Sequence, residues 1–344
     1  MKNTPHILVT GGTGYIGSHT VVELLNANYT VTIVDNLSRS NANVLESITA
    51  ITGKAPNFVQ FDLCDATAVT AFFNSCTTPF DAIIHFAAYK AVGESVKEPL
   101  LYYHNNVVSM INLLQAANAN GCSKIVFSSS CTVYGQSTEL PVTELTPRLV
   151  AESPYGNTKQ ICEDILRDTV SATRLQCIAL RYFNPIGAHP TALMGELPLG
   201  VPNNLVPFIT QTAIGKRASL SIFGNDYNTI DGTCVRDYIH VMDLAQAHIK
   251  AVAVLLNTTQ VHHYDIINIG TGVGSSVLQA VQAFEKVANL KLNYTYAPRR
   301  SGDVEAMYAN VDKAKAVLNF STQYSLEDAL LHQWQWEQAL QRND

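Results

Sequence analysis

The strongest constraint on the fold of this 344-residue chain is a glycine-rich turn between two apolar segments near its start. The apolar segment Ile7–Thr10 has the length of a strand and runs into the turn Gly11–Gly17. The next stretch, 18–26, carries apolar residues at the spacing of a helix with one buried face. A second branched segment, Val31–Val34, then ends in Asp35. Strand, glycine turn, helix, strand and acid in this order predict a dinucleotide-binding βαβ unit.

The residue types in this unit suit a nicotinamide dinucleotide. Glycines permit the tight turn and let a pyrophosphate approach the positive end of the helix. A carboxylate after the second strand, here Asp35, accepts hydrogen bonds from both ribose hydroxyls but repels a phosphate on that ribose. The unit therefore favours NAD over NADP.

An alternation of strand-like and helix-like segments continues after the first unit. The strand-like segments are short and rich in branched or aromatic residues, and one helix-like interval runs from Val107 to Asn120. This alternation predicts an α/β fold, specifically a Rossmann-type doubly wound parallel sheet with ligand residues at the carboxyl ends of its strands. The strand-like segments are Phe58–Asp62, Asp81–Ala88, Lys124–Ser128 and Cys177–Arg181.

The amino-acid composition changes in the second half of the chain. Glycine, proline and asparagine become dense between residues 187 and 204, as in a loop-rich lobe built over a site. We therefore expect residues 1–183 to form an NAD-binding domain and residues 184–344 to form a smaller α/β substrate-binding lobe. A segment near 235–265 is expected to return to the first domain.

A tyrosine, a lysine and a serine run suggest the chemistry. Tyr155 and Lys159 are four residues apart, so they share one face of a helix that begins at Ser153–Pro154. A phenol has a pKa of about 10, and a neighbouring cation lowers it toward the range where a proton acceptor is useful. A hydroxyl such as Ser130 would bind the same substrate oxygen. Alone, such a pair is more often an exposed aromatic beside a solvated lysine, but the dinucleotide unit favours the catalytic interpretation.

Charge, hydropathy and cysteine usage narrow the class of protein. A formal net charge of -6 without a cluster of Lys and Arg argues against nucleic-acid and anionic-membrane partners and leaves small molecules. No apolar stretch approaches the roughly 20 residues that span a bilayer, and the early first strand leaves no space for a signal sequence, so we expect a cytoplasmic protein. The seven cysteines form no C-x-x-C pair, and the adjacent His262 and His263 suit a structural position, so no metal is expected.

The order of several longer motifs resembles one known family, the extended short-chain dehydrogenase/reductases, and within it the UDP-hexose 4-epimerases. The similarity covers the chain nearly end to end. The segments that carry it are Val9–Gly12, Lys90–Ser95, Ser128–Ser130, Thr132–Gly135, Ser153–Gly156, Arg181–Pro185, Pro202–Leu205, Phe223–Tyr227, Val235–His240 and Ala297–Arg300.

The resemblance implies tightly held NAD and the interconversion of UDP-glucose and UDP-galactose. In such enzymes the sugar is oxidised at C4 to a 4-keto intermediate. The intermediate then rotates, and hydride returns to its other face. The implied catalytic residues are Tyr155 as acid/base, Lys159 as its electrostatic partner and ribose anchor, and Ser130 as hydrogen-bond donor. The resemblance also implies a homodimer that packs through helices within 100–120 and 155–171.

Binding residues follow from the same resemblance. Two arginines among them suit a pyrophosphate, which takes charge-assisted hydrogen bonds from guanidinium groups. Besides Ser130, Tyr155 and Lys159, the implied cofactor residues are Gly11, Gly14, Tyr15, Ile16, Gly17, Asp35, Asn36, Leu37, Asp62, Leu63, Phe86, Ala87, Ala88, Lys90, Asn105 and Phe183. Besides Ser130 and Tyr155, the implied substrate residues are Asn184, Asn204, Leu205, Leu220, Phe223, Arg236, Arg300, Asp303 and Met307.

Departures from the family pattern bear on the alternative functions and on the range of sugars that the chain accepts. A nucleotide-sugar 4,6-dehydratase would need an Asp-Glu pair where this chain has Cys131 and Thr132. A non-catalytic NAD-binding regulator would not need Ser130, Tyr155 and Lys159 together. Met307 stands where relatives carry tyrosine or a smaller residue, so acceptance of N-acetylated UDP-hexoses stays open. Ala88 and Cys131 replace the usual glycine and alanine and are interpreted as packing variants.

Overall fold

The computed structural model describes residues 4–300 and 303–343, which form two compact units. Unit 1 takes in the described residues of Met1–Gly135, Arg148–Arg181 and Ala245–Ile267. Unit 2 takes in those of Gln136–Pro147, Tyr182–Leu244 and Asn268–Asp344. The assignment of residues 1–183 to an NAD-binding domain and of residues 184–344 to a substrate-binding lobe stays a prediction.

A seven-stranded sheet lies at the centre of unit 1. Its strands are β1 His6–Thr10, β2 Thr30–Asp35, β3 Asn57–Gln60, β4 Ala82–His85, β5 Lys124–Ser130, β6 Gln176–Tyr182 and β11 Tyr264–Ile269. Their order across the sheet is β11-β6-β5-β4-β1-β2-β3, and the pairs β1–β2, β1–β4, β2–β3 and β4–β5 are parallel. This order confirms the predicted Rossmann-type sheet.

The central strands are apolar along most of their length because helices cover both faces of such a sheet. Residues Ile7, Val9, Ile84, Val126 and Leu180 of β1, β4, β5 and β6 are fully buried. Runs of buried branched side chains therefore explain why these segments form strands without the alternation of a one-sided sheet.

Helices follow the strands of unit 1, and further helices belong to unit 2. A π-helical segment, His104–Val108, precedes α6, so the interval predicted as one helix from Val107 to Asn120 changes its hydrogen-bond pattern at its start. A short 3₁₀ helix, Cys131–Tyr134, follows β5. The α-helices are α1 Tyr15–Asn26, α2 Val44–Thr52, α3 Ala66–Ser75, α4 Val92–Lys97, α5 Pro99–Tyr103, α6 Ser109–Ala119, α7 Pro154–Ala172, α8 Leu205–Ala213, α9 Val241–Asn257, α10 Val277–Ala288, α11 Asp312–Leu318 and α12 Leu326–Asn343.

Unit 2 has small sheets around its own apolar core. This core includes Ile209, Ile222, Val281, Phe284 and Leu330, from helices and strands far apart in the chain. The sheets pair β7 with β10, β8 with β13, and β9 with both β12 and β14. The strands are β7 Asn184–Ile186, β8 Leu220–Phe223, β9 Val235–Arg236, β10 Tyr238–His240, β12 Ser275–Ser276, β13 Tyr294–Ala297 and β14 Ala306–Met307.

The direction of chain progression reverses in the seven-stranded sheet between β1 and β4. From β1 the chain moves outward through β2 and β3, and it then crosses to β4 on the other side of β1. Ligands of open parallel sheets bind beyond the carboxyl ends of the strands at such a switch point. The glycine turn after β1 and the segment after β4 therefore flank the expected ligand position.

Candidate active site

Helix α7 begins where it does because Ser153 caps it. The Ser153 hydroxyl accepts a hydrogen bond from the backbone N–H of Gly156 at 3.2 Å, and Pro154 occupies the first helical turn. This start places Tyr155 and Lys159 on one face, and both are buried, with 9% and 3% of their surface exposed. The structure therefore excludes the alternative of an exposed aromatic beside a solvated lysine.

Ser130 ends β5 next to this face of α7. Its hydroxyl accepts a hydrogen bond from the N–H of Thr132 at 3.2 Å and caps the short 3₁₀ helix. The same side chain interacts with the phenol of Tyr155 and opposes the rise in pKa that burial causes there. Two of the three predicted catalytic groups are thus neighbours.

Lys159 contacts the end of β5 rather than the phenol oxygen. Its Nζ donates to the carbonyl oxygen of Ser128 at 2.7 Å and lies 4.9 Å from the centre of the Phe127 ring. The distance from Nζ to the centre of the Tyr155 ring is 5.8 Å. Burial lowers the pKa of Lys159 to about 8, while the nearby Cys162 and Glu163 raise it.

The pKa of Tyr155 differs from the value expected from sequence. Burial raises it to about 12, and Ser130 offsets only part of that effect. The prediction that this pKa lies below the usual value of a phenol is wrong for the protein alone, because desolvation disfavours the phenolate more strongly than its neighbours favour it.

A buried histidine lies near Lys159 and was not predicted. His85 ends β4, and its Nδ1 is 2.7 Å from the hydroxyl oxygen of Thr10. Burial, and then the charge of Lys159, lower the pKa of His85 to about 3. The ring is therefore neutral at physiological pH. Its position in an apolar strand offered no signal for this.

The glycine turn after β1 packs closely against the segment after β4. A Cβ at Gly11 would lie 2.6 Å from the backbone N of Ala87, and Gly11 has a φ of +72°. A Cβ at Gly17 would lie 2.3 Å from the carbonyl oxygen of Gly11. Both positions thus require glycine, and Gly14 lies at the N-terminus of α1. The turn brings the predicted cofactor residues Gly11, Gly14, Gly17 and Ala87 together.

The acid after β2 holds the loop that follows it. Asp35 accepts hydrogen bonds from the N–H of Thr13 at 3.2 Å and from the N–H of Leu37 at 2.9 Å. The Asn36 amide donates to Asp62 at 3.1 Å, and both line a shallow cavity beyond the ends of β2 and β3. These four predicted cofactor residues therefore form one neighbourhood.

The remaining predicted cofactor residues differ in their exposure and contacts. Lys90 Nζ is 5.9 Å from the centre of the Tyr15 ring, and the Asn105 amide donates to Asn106 at 2.9 Å. Leu63 is part of the apolar core of unit 1. Ile16, Phe86 and Ala88 are half-buried, whereas Phe183 is buried at the start of the second stretch of unit 2.

Unit 2 brings together four of the predicted substrate residues in two pairs. Arg236 lies 3.7 Å from the Asp303 carboxylate, and its backbone faces Met307 in the pairing of β9 with β14. The guanidinium of Arg300 stacks over the ring of Phe223 at 4.4 Å. These contacts place two guanidinium groups beside a half-buried aromatic and a buried methionine.

Other predicted substrate residues have structural contacts of their own. The Asn204 amide donates to Glu196 at 2.7 Å at the N-terminus of α8, where Leu205 begins the helix. Asn184 begins β7 and is half-buried. Leu220 is 2% exposed and packs in the core of unit 2, on the face of β8 opposite Phe223. The side chain of Leu220 therefore stabilises the core.

A buried ion pair between α7 and β6 was also not predicted from the sequence. Glu163 of α7 and Arg181 of β6 are 1% and 2% exposed, with a shortest N–O distance of 2.6 Å. Glu163 follows Lys159 by one helical turn, which would have placed it on the same face. Its pairing with Arg181 depends on the tertiary fold.

Neither a metal-binding cluster nor a membrane helix occurs in the part of the chain that the structure describes. No group of three or more His, Cys, Asp or Glu side chains in residues 4–300 and 303–343 suits a metal ion. In the same ranges, no helix combines the length and the apolar character needed to cross a bilayer.

Comparisons with known proteins agree in pointing to one family. The family model described as GDP-mannose 4,6 dehydratase matches residues 8–332. The UDP-glucose 4-epimerase of Bacillus subtilis (strain 168) is 50% identical over 334 residues, which cover 97% of this chain and 97% of that protein.

Solved structures give the same result. The crystal structure of UDP-glucose-4-epimerase from Stenotrophomonas maltophila with bound NAD and formylated UDP-arabinopyranose is 43% identical, with a TM-score of 0.94 and coverage of 99% of this chain and 100% of that chain. The Bifidobacterium longum enzyme in complex with NAD+ and UDP is 41% identical, with a TM-score of 0.93 and coverage of 98% and 100%.

The doubly wound sheet, the glycine turn and the buried Tyr155, Lys159 and Ser130 define an extended short-chain dehydrogenase/reductase, as the family match requires. Near 50% identity over almost the whole chain then separates the epimerases from the dehydratases of this class. The chain belongs to the UDP-glucose 4-epimerase family.

Proposed function

We propose that this chain interconverts UDP-glucose and UDP-galactose with bound NAD, by transient oxidation at C4 of the sugar. The observation that carries the proposal is the position of the buried phenol of Tyr155 beside the side chain of Ser130, with the ammonium of Lys159 on the same helix face. Relatives that share almost the full chain length carry the epimerase name.

The residues of unit 1 fit NAD. Gly11 and Gly17 allow the turn to pack tightly, because a Cβ at either position would collide with backbone. This turn leads into the N-terminus of α1, where backbone N–H groups and the helix dipole favour a pyrophosphate. Asp35 keeps acceptor capacity for ribose hydroxyls, since a carboxylate has about four lone-pair sites. When bound, NAD supplies the hydride acceptor and donor for C4 and, in its oxidised form, a positive charge near the phenol.

The protein's own part in the reaction is proton transfer. Tyr155 as phenolate takes the proton of the sugar 4-hydroxyl, and Ser130 holds the same oxygen by a hydrogen bond. After the 4-keto sugar has presented its other face, Tyr155 returns the proton to the C4 oxygen. Lys159 stabilises the phenolate in both steps, because a cation favours the charged form of a nearby acid. The reaction has no net redox change, so NAD is retained.

Arg236 and Arg300 are the candidates for holding the UDP pyrophosphate, with Phe223 beside the uracil. Guanidinium groups form paired hydrogen bonds with phosphate oxygens and bind anions in partly desolvated positions. Strong anchoring of the nucleotide leaves the hexose free to turn, which an inverting return of hydride requires.

The experiment that tests this proposal follows deuterium at C4. UDP-galactose labelled with deuterium at C4 should yield UDP-glucose that retains the label at C4 and has the same mass. Loss of the label to solvent would contradict hydride return, and a product lighter by one water would indicate a 4,6-dehydratase instead.

N-acetylated UDP-hexoses are the second part of the proposal. Met307 is buried opposite Arg236, and an unbranched thioether adapts its shape more readily than an aromatic ring. We therefore expect slower but measurable turnover of UDP-N-acetylgalactosamine. Met307→Tyr should abolish that turnover and preserve turnover of UDP-galactose, as a parallel assay of the two sugars would measure.

A homodimer and a cytoplasmic location complete the proposal. The apolar Leu100 of α5 and Val96 of α4 are 81% and 60% exposed, as expected for helices that pack against a second copy. Leu100→Glu should give a monomer in sedimentation velocity. The seven free cysteines suit a reducing compartment.

A further inference from the structure

The end of β5 is held by three residues of α7 that are four positions apart in sequence. Residues at this spacing lie above one another on one helix face. In the first of the three interactions, the Ser130 side chain interacts with the phenol of Tyr155. The second and third are hydrogen bonds, from Lys159 Nζ to the Ser128 carbonyl oxygen at 2.7 Å and from the Ser129 hydroxyl to Glu163 Oε1 at 2.6 Å. The first two involve the proposed catalytic groups, whereas the proposed reaction does not use the third.

Arg181 fixes Glu163 and the chain that follows Ser130. Its Nε donates to Glu163 Oε1 at 2.8 Å, and its Nη2 donates to Oε2 at 2.6 Å. The guanidinium also lies 4.8 Å from the centre of the ring of Tyr134, which ends the 3₁₀ helix after Ser130. The residue before Ser130 and the turn after it are thus both connected to one buried ion pair.

We infer that Glu163 and Ser129 are positioning residues for the reaction, and that their hydrogen bond holds Ser130 beside Tyr155. This inference rests on the proposed function and extends it to residues outside the substrate and cofactor sites. Glu163 acts through Ser129, and neither residue contacts the reacting atoms.

Energetics favour a positioning function over a stabilising one. A buried ion pair loses so much hydration that apolar residues of similar volume often stabilise a protein equally well. A bidentate pair nevertheless has one strongly preferred geometry. The Glu163 carboxylate is therefore a fixed point against which the short hydroxyl of Ser129 sets the position of the strand end.

Electrostatics connect the same carboxylate to Lys159. The negative charge of Glu163 raises the pKa of Lys159, which burial has lowered to about 8. Removal of that charge should therefore let Lys159 deprotonate at lower pH. Besides Glu163 and Arg181, the titratable or charged groups around Lys159 and this pair are Tyr155 and Cys162 on α7, His85 on β4, Cys177 on β6, Tyr264 on β11, Tyr134 of the 3₁₀ helix and Arg148 before α7.

Ser129→Ala tests the hydrogen bond while the ion pair stays in place. The kcat for UDP-galactose should fall about 10-fold to 100-fold, because small displacements of a catalytic group have effects of this size. The KM and the shape of the pH profile should not change. The matched control is Ser109→Ala, a buried serine whose hydroxyl bonds within its own helical region, to the Asn106 carbonyl oxygen.

Glu163→Gln tests the charge, since the amide oxygen still accepts from Ser129. In the pH profile of kcat, the decline at alkaline pH should begin at a lower pH than in the wild type. Because this variant leaves Arg181 unpaired in the interior, Glu163→Gln combined with Arg181→Met restores neutrality. The double variant should move this decline by a smaller amount than Glu163→Gln alone.

The Ser129 and Glu163 variants test the inference independently of each other. A Ser129→Ala enzyme with kcat within twofold of wild type and an unchanged urea midpoint would overturn the inference, even if Glu163→Gln failed to fold. Equal losses in Ser129→Ala and Ser109→Ala would also overturn it, since they would reflect packing alone. A wild-type chain without turnover of UDP-hexoses would overturn the proposed function and this inference with it.

Discussion

The ammonium of Lys159 is bound to the carbonyl oxygen of Ser128 at 2.7 Å and is not hydrogen-bonded to the phenol of Tyr155, whose ring centre is 5.8 Å away. Both residues therefore lie at the end of β5, where the lysine is bound to a backbone carbonyl and the tyrosine lies beside Ser130. The effect of Lys159 on the phenol is electrostatic at a distance, and it depends on the lysine staying protonated.

Replacement of Tyr155 by phenylalanine should remove the proton acceptor and preserve the packing of the ring. We expect kcat to fall by about 10² to 10⁴, the usual contribution of general acid–base catalysis. Binding of UDP-galactose, measured by calorimetry, should stay within a few-fold of wild type. Near-normal turnover in this variant would show that another group accepts the proton.

The activity of the wild type should decline as pH rises through about 8, the pKa of Lys159. The stability should change in the opposite direction. Burial lowers this pKa in the folded chain below the unfolded value of 10.5, so the unfolded state binds more protons between the two values and the folded state gains stability as pH rises. Lys159→Met should have very low activity at every pH and lack this gain, as urea unfolding at pH 8 and pH 10 would measure. An equal gain in the variant would assign the effect to other groups.

His85 should reduce the stability of the protein in acid. Burial lowers its folded pKa to about 3 from an unfolded value of 6.5, so the unfolded state takes up a proton first as pH falls. The free energy of unfolding should then drop by about 1.4 kcal/mol per pH unit below 6.5 from this group. His85→Gln should flatten the dependence of the urea midpoint on pH between 6.5 and 4.5. An unchanged slope would indicate that His85 is protonated in the folded chain.

Gly17→Ala should lower the NAD content of the purified protein. The added Cβ would lie 2.3 Å from the Gly11 carbonyl oxygen and force the turn to move away from the position that suits a pyrophosphate. The matched control is Gly93→Ala in α4, where a Cβ meets nothing within 4 Å. Release of nucleotide by heat or acid, followed by its quantification, measures the effect. Equal NAD content in the two variants would contradict the assignment of the turn.

The local parts of the fold were predictable because they depend on neighbours in sequence. The strand and turn at Ile7–Gly17 and the helix start at Ser153 follow from backbone sterics and capping, which act over a few residues. Strand bounds therefore agree with expectation within a few residues, as for β6, predicted at Cys177–Arg181 and observed at Gln176–Tyr182.

The details that tune the site depend on residues far apart in the chain. Leu220 and Phe223 take opposite faces of one four-residue strand, and packing in the core of unit 2 decided that the face of Leu220 is the buried one. The pKa of Tyr155 follows from how much of the fold buries it, and the partner of Glu163 of α7 is Arg181 of β6. Residue types and short spacings identify the chemical groups, whereas burial and long-range contacts set their charge states and positions, because desolvation is a property of the assembled interior.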